Sequence, residues 1–214
     1  NMPLNINGTD MTGKLATVPA GAFASAGGGA AGVAAARAQG DQYIKGYNRK
    51  EVTQLQTSFT HFFDQVMGAD RLTLVGEVGL TAIGGLENRD EVAYGRDSIY
   101  GSPHGTAASN LEALAEYGTH GFYTNNSWGY RARAIWDYSN VFAGVNLKPN
   151  LSWSHDVDGY GPGFNDGAKA VSVGLDAEYR NTYSASLSYT DFFDGDYNVS
   201  TDRDFLALSF GVNF

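Results

Sequence analysis

The stretch Ser127–Ser139, SWGYRARAIWDYS, decides how the chain folds. Taken alternately, Trp128, Tyr130, Ala132, Ala134, Trp136 and Tyr138 share one parity, and Ser127, Arg131, Arg133 and Asp137 share the other. A helix would bring Arg131 and Trp128 to the same side and leave no apolar stripe. The period is therefore two, and the segment is predicted to be a strand with one apolar and one charged face.

The neighbouring segments repeat the pattern. VTQLQTSFTHFF (Val52–Phe63) sets Leu55, Thr57, Phe59, His61 and Phe63 on one parity. RLTLVGEVGLTAIGGL (Arg71–Leu86) opposes Leu72, Leu74, Val78, Leu80 and Ala82 to Arg71, Thr73, Glu77 and Thr81. VNLKPNLSW (Val145–Trp153) opposes Val145, Leu147, Leu151 and Trp153 to Asn146, Lys148, Asn150 and Ser152. Pro149 is a blemish there, because it has no N–H for a ladder. AVSVGLDAEYR (Ala170–Arg180) and YSASLSYTDFF (Tyr183–Phe193) place Tyr179, Tyr183 and Tyr189 against Asp176, Glu178 and a run of serines. FLALSFGVNF (Phe205–Phe214) puts Leu208, Phe210, Val212 and Phe214 on one face. Seven strands are predicted. DQVMGAD, SNVFAG and RNT connect them briefly, while residues 87–125, 156–167 and 194–202 form longer loops, so long and short connections fall at opposite ends.

Composition bounds the rest. A chain of 214 residues with 13% aromatics and 28 glycines suits one all-β domain of short strands and turns. It has no apolar run of the roughly 18 residues that a membrane helix needs, but a membrane strand needs only alternation. A net charge of -9 without a basic run argues against nucleic acid as a partner. The absence of cysteine removes disulfides, thiol catalysis and thiolate metal sites. Residues 1–46, with AGAFASAGGGAAGVAAARAQG at Ala20–Gly40, read as a Gly/Ala-rich extracellular loop or linker. The opening NMPLNINGTD carries no signal-peptide order, so a mature form or a C-terminal piece is expected.

A sandwich also alternates, and the placement of particular residues decides against it. Trp128 and Tyr138 lie ten residues apart on one parity, which at about 3.3 Å per residue and a tilt near 40° covers roughly 25 Å along a membrane normal. Tyr138, Tyr179, Tyr183 and Phe214 fall near the short turns, and Trp128, Trp153 and Tyr189 toward the long loops, as two aromatic girdles would. The opposite parity carries Glu77, Arg131, Arg133, Asp137, Lys148, Asp176 and Glu178. Burying those charges in a dry core would cost several kcal/mol per ion, and a wet lumen removes most of that cost. The expectation is an all-β antiparallel transmembrane β-barrel with lipid outside and water inside. Its lumen charges are expected to form a salt-bridge network that braces the wall, to set selectivity at a constriction, or to do both. Seven is an odd count, so the strands at Glu51 and Phe214 are expected to pair with missing N-terminal strands of the same protein or with other protomers.

YNRKEVTQLQTSFTHFF, SWGYRARAIWDYSNVFAGVNLKPNLSWSHDVDGYGPG and RDFLALSFGVNF resemble the C-terminal part of Gram-negative outer-membrane proteins grouped as domain-of-unknown-function family 1302. The resemblance covers about residues 47–214, with MPLNINGTD similar to a region well inside those longer proteins. It implies the bacterial outer membrane, with lipid and lipopolysaccharide as surroundings, and an association with moving hydrophobic or bulky compounds. The last strand resembles the C-terminal signal read by barrel-assembly machinery, with Phe214 as terminal aromatic and Val212, Phe210 and Leu208 as its apolar partners.

No catalytic constellation emerges. His61, His104, His120 and His155 lack metal-ligand spacing, and no Ser and His pair is arranged for nucleophilic chemistry, so an enzyme is not expected. DVDGYGPGFNDG and DFFDGDYN offer Asp156, Asp158, Asn165, Asp166, Asp191, Asp194 and Asp196 as oxygen ligands for Ca²⁺, but without EF-hand order they read first as solvated turns. Two functions remain open: a passive channel or transporter for small or hydrophobic organic compounds, and a surface receptor or structural barrel that binds through residues 87–125 over a plugged lumen. On the assembly-signal reading, Phe214→Ser is expected to reduce membrane insertion more than it destabilises protein already inserted. Surface labelling of whole cells against unfolding of purified protein checks this, and normal display of the variant would contradict it.

Overall fold

The computed structural model describes residues 5–6, 9–10, 48–89, 92–101 and 108–213, the side chains of residues 5, 6, 9, 10, 108–110 and 113 excepted. Phe214, His104 and the Ala20–Gly40 run lie outside the described residues. The chain divides into two compact units, Asn1–Glu51 with Gly85–Phe122, and Val52–Gly84 with Tyr123–Phe214.

A two-residue pair, β1 (Asn5–Ile6) and β2 (Thr9–Asp10), precedes the main sheet. That sheet comprises β3 (Glu51–Asp64), β4 (Arg71–Gly84), β5 (Asn126–Phe142), β6 (Val145–Asp158), β7 (Lys169–Tyr179), β8 (Tyr183–Phe193) and β9 (Phe205–Val212). The strands lie in sequence order, antiparallel, and the sheet is open, with β3 and β9 at its edges. The fold is all-β with seven main strands, as the alternation predicts.

Two strands outrun the sequence reading. β5 continues to Phe142, so the expected SNVFAG connection shrinks to Ala143–Gly144, with φ of 50° and 84°. Both values suit the two-residue turns that match strand twist. Asn140, at φ 50°, absorbs the register shift between Tyr138 and Phe142 as a bulge. Its N–H donates to Asn146 Oδ1 at 2.9 Å and its own Oδ1 accepts from Gly144 N–H at 3.0 Å, and such local bonds are what let Asn hold this conformation. β6 runs to Asp158, so Asp156 and Asp158 belong to a strand rather than to a loop starting at residue 156. At Pro149 the β5–β6 ladder passes from Ile135↔Asn150 to Tyr138↔Leu147 without an intervening pair.

Register keeps the two parities apart across the sheet. One apolar row runs Leu74, Ala134, Leu151, Val173, Tyr189, Leu206, and one polar-face row runs Val75, Arg133, Ser152, Ser172, Thr190, Phe205. The apolar face is uncovered: Phe59, Leu206, Leu208 and Phe210 are 62–77% exposed. Gly76 on that face leaves the space that the Phe59 ring fills, and a Cβ there would collide with the ring. Among the described residues no helix is long and apolar enough to cross a membrane, which says nothing about crossing by strands.

The unit containing Gly85–Phe122 has order that the sequence reading treated as loop. A 3₁₀ turn (Ser98–Tyr100) is capped by Asp97, whose Oδ1 accepts from Ile99 N–H at 3.0 Å. Helix α1 (Ala108–Tyr117) follows. Ten residues are too few for a stable isolated helix, and neither a strong apolar stripe nor an acidic first turn announces this one. The centre of the unit is Arg96, 6% exposed. Its guanidinium donates to the carbonyls of Gly118 (2.9 Å), His120 (3.0 Å), Tyr100 (2.9 Å) and Gly101 (3.1 Å) and lies 4.7 Å from the ring of buried Phe122. In the same unit, Lys50 Nζ bonds Glu87 Oε1 at 2.6 Å, and Tyr94 OH donates to Glu87 Oε2 at 2.9 Å. The Lys50 hydrogen bond is the main reason that the Glu87 carboxyl is held down at about 2.

Arg96→Lys is expected to loosen this unit. An ammonium has three donors without the planar fork and cannot serve four separated carbonyls. Limited proteolysis with mass mapping should show faster cleavage between Gly85 and Phe122 and unchanged cleavage in the sheet. Equal rates in both proteins would contradict the clasp.

Candidate functional site

The polar face of the sheet gathers five of the seven charges singled out from sequence, together with Arg71, into cross-strand pairs. Arg131 faces Glu77, Asp137 faces Arg71, and Lys148 faces Asp176; Arg133 faces Val75 and Ser152, while Glu178, at the short-turn end, faces Asn146 and Ser184. Side chains then choose partners beyond the directly opposed residue. Lys148 Nζ reaches Asp137 Oδ1 at 3.6 Å, and Arg131 Nη2 reaches Asp156 Oδ1 at 2.9 Å. Among the described residues Glu77 and Glu178 enter no ion pair.

Asn150 is the residue that sequence reasoning passed over. It sits between Arg133 and Asp176, accepting from Arg133 Nη2 at 3.3 Å and donating Nδ2–H to Asp176 Oδ2 at 3.1 Å, so one amide joins β5, β6 and β7. It is 8% exposed and lies flat on Gly174, where a Cβ would come within 2.8 Å of its Oδ1. The available signal was an asparagine, disfavoured in strands, at a position that faces a strand glycine. Glu77, Arg131, Arg133, Ser152, Ser172 and Thr190 line a shallow depression of about 290 Å³ across this face. Within it Thr190 Oγ1–H donates to Ser172 Oγ at 2.9 Å.

Six of the seven aromatics assigned to the girdles stand on the opposite face, and the seventh, Phe214, lies outside the described residues. Tyr138, whose OH donates to the Met67 carbonyl at 3.1 Å, and the stacked pair Tyr179 and Tyr183, 6.3 Å apart, lie at the short turns. Trp128 faces Asp158 at the other end. Trp153 is drawn into a cluster that the sequence did not resolve: its Nε1–H donates to Tyr130 OH at 3.2 Å, Phe193 lies 5.9 Å away, and Tyr130 meets His155 at 5.6 Å. Tyr189 lies between Val173 and Leu206, one row nearer the short turns than Trp153, and its OH donates to Asp204 Oδ2 at 2.6 Å. On β9, Leu208, Phe210 and Val212 face Leu187, Ala185 and Tyr183.

The acidic loop residues do not converge as ligands. Lys169 Nζ engages Asp194 at 2.8 Å, and both Asp156 oxygens are taken, Oδ1 by Arg131 and Oδ2 by the Asn165 N–H at 2.9 Å. Burial pushes the Asp166 carboxyl up, with Asp158 and Asp196 adding repulsion. Among the described residues no group of three His, Cys, Asp or Glu is placed to hold a metal ion.

These features define a class: an all-β protein built on an open antiparallel sheet that is apolar on one side and cross-linked by charge on the other. The chain belongs to the family described as protein of unknown function (DUF1302), whose model matches residues 1–214. No curated protein and no solved structure matches it.

Asn150→Leu is expected to lower stability by about 1–3 kcal/mol, because Arg133 and Asp176 each lose a buried partner. Denaturant unfolding followed by tryptophan fluorescence checks this against Ser152→Ala on the same strand, which should change little.

Proposed function

We propose that the sheet is part of the wall of a bacterial outer-membrane β-barrel, and that its polar face lines a wet passage for small or hydrophobic organic compounds. The observation that carries this is the separation of an apolar from a charged face that the register maintains through the middle of β4 to β9. An apolar patch of that extent is out of place in water. A face bearing Glu77, Arg131, Arg133, Lys148 and Asp176 is equally out of place in a dry core. Lipid on one side and water on the other satisfy both. Strands β3 to β8, of 11 to 17 residues, meet the roughly 9–11 residues that a tilted membrane strand requires. The edges β3 and β9 then pair with β-structure outside this sequence, from the same protein or another protomer, since an open edge in hydrocarbon is costly. Lipid, lipopolysaccharide and barrel-assembly machinery are the partners this implies; nucleic acid is not among them.

A receptor or structural barrel is the second reading, and the Arg96 clasp favours it, because a loop with its own buried centre is suited to present a fixed surface. Reconstitution of the full-length protein in planar bilayers separates the two. The channel reading expects conductance, and Arg131→Ala with Arg133→Ala should shift selectivity toward cations by leaving Asp156 and Asp176 uncompensated. Deleting residues 87–125 should keep or raise flux in a channel and abolish partner binding in a receptor. A silent, solute-tight protein ends the channel reading.

A further inference from the structure

The connection after β6 does not stand away from the sheet. Gly161 and Phe164 bond each other's backbones, N–H to carbonyl at 2.9 and 3.4 Å, closing a tight reversal around Pro162 and Gly163. Thr124 and Tyr160 hold one side of the connection through Thr124 N–H to Tyr160 O at 2.9 Å and Tyr160 N–H to Thr124 Oγ1 at 3.0 Å. Asn165 holds the other, through its N–H to Asp156 Oδ2 and its Nδ2–H to the Tyr197 carbonyl, both at 2.9 Å. A Cβ on Gly161 would collide with the hydroxyl of Ser127, a polar-face residue opposite Thr81, so the reversal lies over that face.

The reversal delivers one aromatic ring to a charged surface. Gly79 and Gly129 are direct cross-strand partners on the polar face, and a Cβ on either would come within 3.0 Å of the Phe164 ring. Two adjacent glycines thus form a flat bed for the ring, an arrangement that rescues exposed strand glycines. Beside it, the Arg131 guanidinium stands 5.8 Å from the ring centre and is engaged by Asp156. Glu77, opposite Arg131, has no ion pair among the described residues, because the guanidinium is engaged by Asp156. Arg133, one step toward the short turns, is engaged through Asn150 with Asp176. Gln54, whose Nε2–H donates to Thr81 Oγ1 at 3.4 Å, and Gln56 complete a recess of about 200 Å³.

We propose that this recess is a binding subsite for organic cations that carry a single aromatic ring. The ring packs against Phe164 above the glycine bed, and the ammonium group donates to Glu77, with the glutamine amides beside it. Size agrees, since a cavity of about 150 Å³ already accepts benzene. Ring-on-ring packing supplies affinity and a charge-assisted hydrogen bond supplies the sign of the preference. The proposal rests on the polar face being the wet side of the wall, and it names what that passage would select.

Equilibrium dialysis of the full-length protein in detergent, with phenethylamine, phenylacetate and n-butylamine as probes, tests it apart from transport. Phenethylamine should bind about ten-fold tighter than phenylacetate, the effect of one charge-assisted hydrogen bond. Phe164→Leu, which keeps bulk and so the loop, should weaken phenethylamine about five-fold and leave n-butylamine unchanged. Glu77→Gln should remove the preference for the amine. Equal binding of amine and acid by the unaltered protein, or a preference that survives Glu77→Gln, overturns the proposal. Binding as expected without flux in liposomes supports the subsite and removes the channel reading; flux without ring or charge preference does the reverse.

Discussion

Everything in the sheet depends on the parity of its register. A strand's side chains alternate with a period of two, so a slip of one residue between any two neighbours would carry arginines to the apolar side and tryptophans to the charged side. From β4 to β9 the register keeps Trp128, Trp136, Trp153, Tyr179 and Tyr189 together and keeps Arg131, Arg133, Lys148 and Asp176 together. The irregularities fall near strand ends, at Trp128/Gly129 and Tyr138/Phe142, where a shift displaces few side chains.

Given that parity, the polar face solves a local electrostatic problem. Charges on one surface of a sheet are about 5 Å from their cross-strand neighbours, and like charges placed so would repel. Here each arginine or lysine on the face reaches an acidic group or an amide: Arg131 to Asp156, Lys148 to Asp137, and Arg133 to Asn150, which passes the interaction to Asp176. Partners often come from a diagonal position or from the end of the strand, because long side chains reach farther than the direct opposite. Asp156, with one oxygen on Arg131 and the other on the Asn165 N–H, links the sheet to the reversal that carries Phe164. A strand residue, Arg131, and a loop residue, Asn165, are therefore fixed by one carboxylate.

Glycines inside the strands mark where a neighbour lies flat. Gly76 accommodates Phe59 on the apolar face, and Gly174 accommodates Asn150 on the polar face. At Gly79 and Gly129 the occupant comes from a distant loop, which converts a weak point in two strands into a seat for an aromatic ring. Each exchange replaces a missing side chain with one that carries chemistry. The cost of strand glycine, lost packing and greater chain entropy, is offset where the incoming group packs well.

Sequence alone determined the secondary structure class, the number and order of the main strands, and which residues share a face, because alternation is a local property that each segment carries by itself. It also ordered the short turns and the long connections, although most of SNVFAG and residues 156–158 belong to strands, and YSASLSYTDFF has the limits its alternation marks, Tyr183–Phe193. Tertiary structure alone decided which charges meet. Glu77 and Arg131 are opposed by register, yet Arg131 turns to Asp156, a residue whose place in β6 depended on how far that strand continued. It alone placed Phe164 on the glycine bed and gathered Trp153, Tyr130, His155 and Phe193. It alone ordered residues 108–117 into a helix and set Arg96 among four carbonyls. Apart from the Arg96 bonds to Tyr100 and Gly101, these contacts join residues 22 to 85 positions apart, from Arg96 and Gly118 to Gly79 and Phe164. No local pattern encodes that separation, since it follows from where whole strands and loops come to rest.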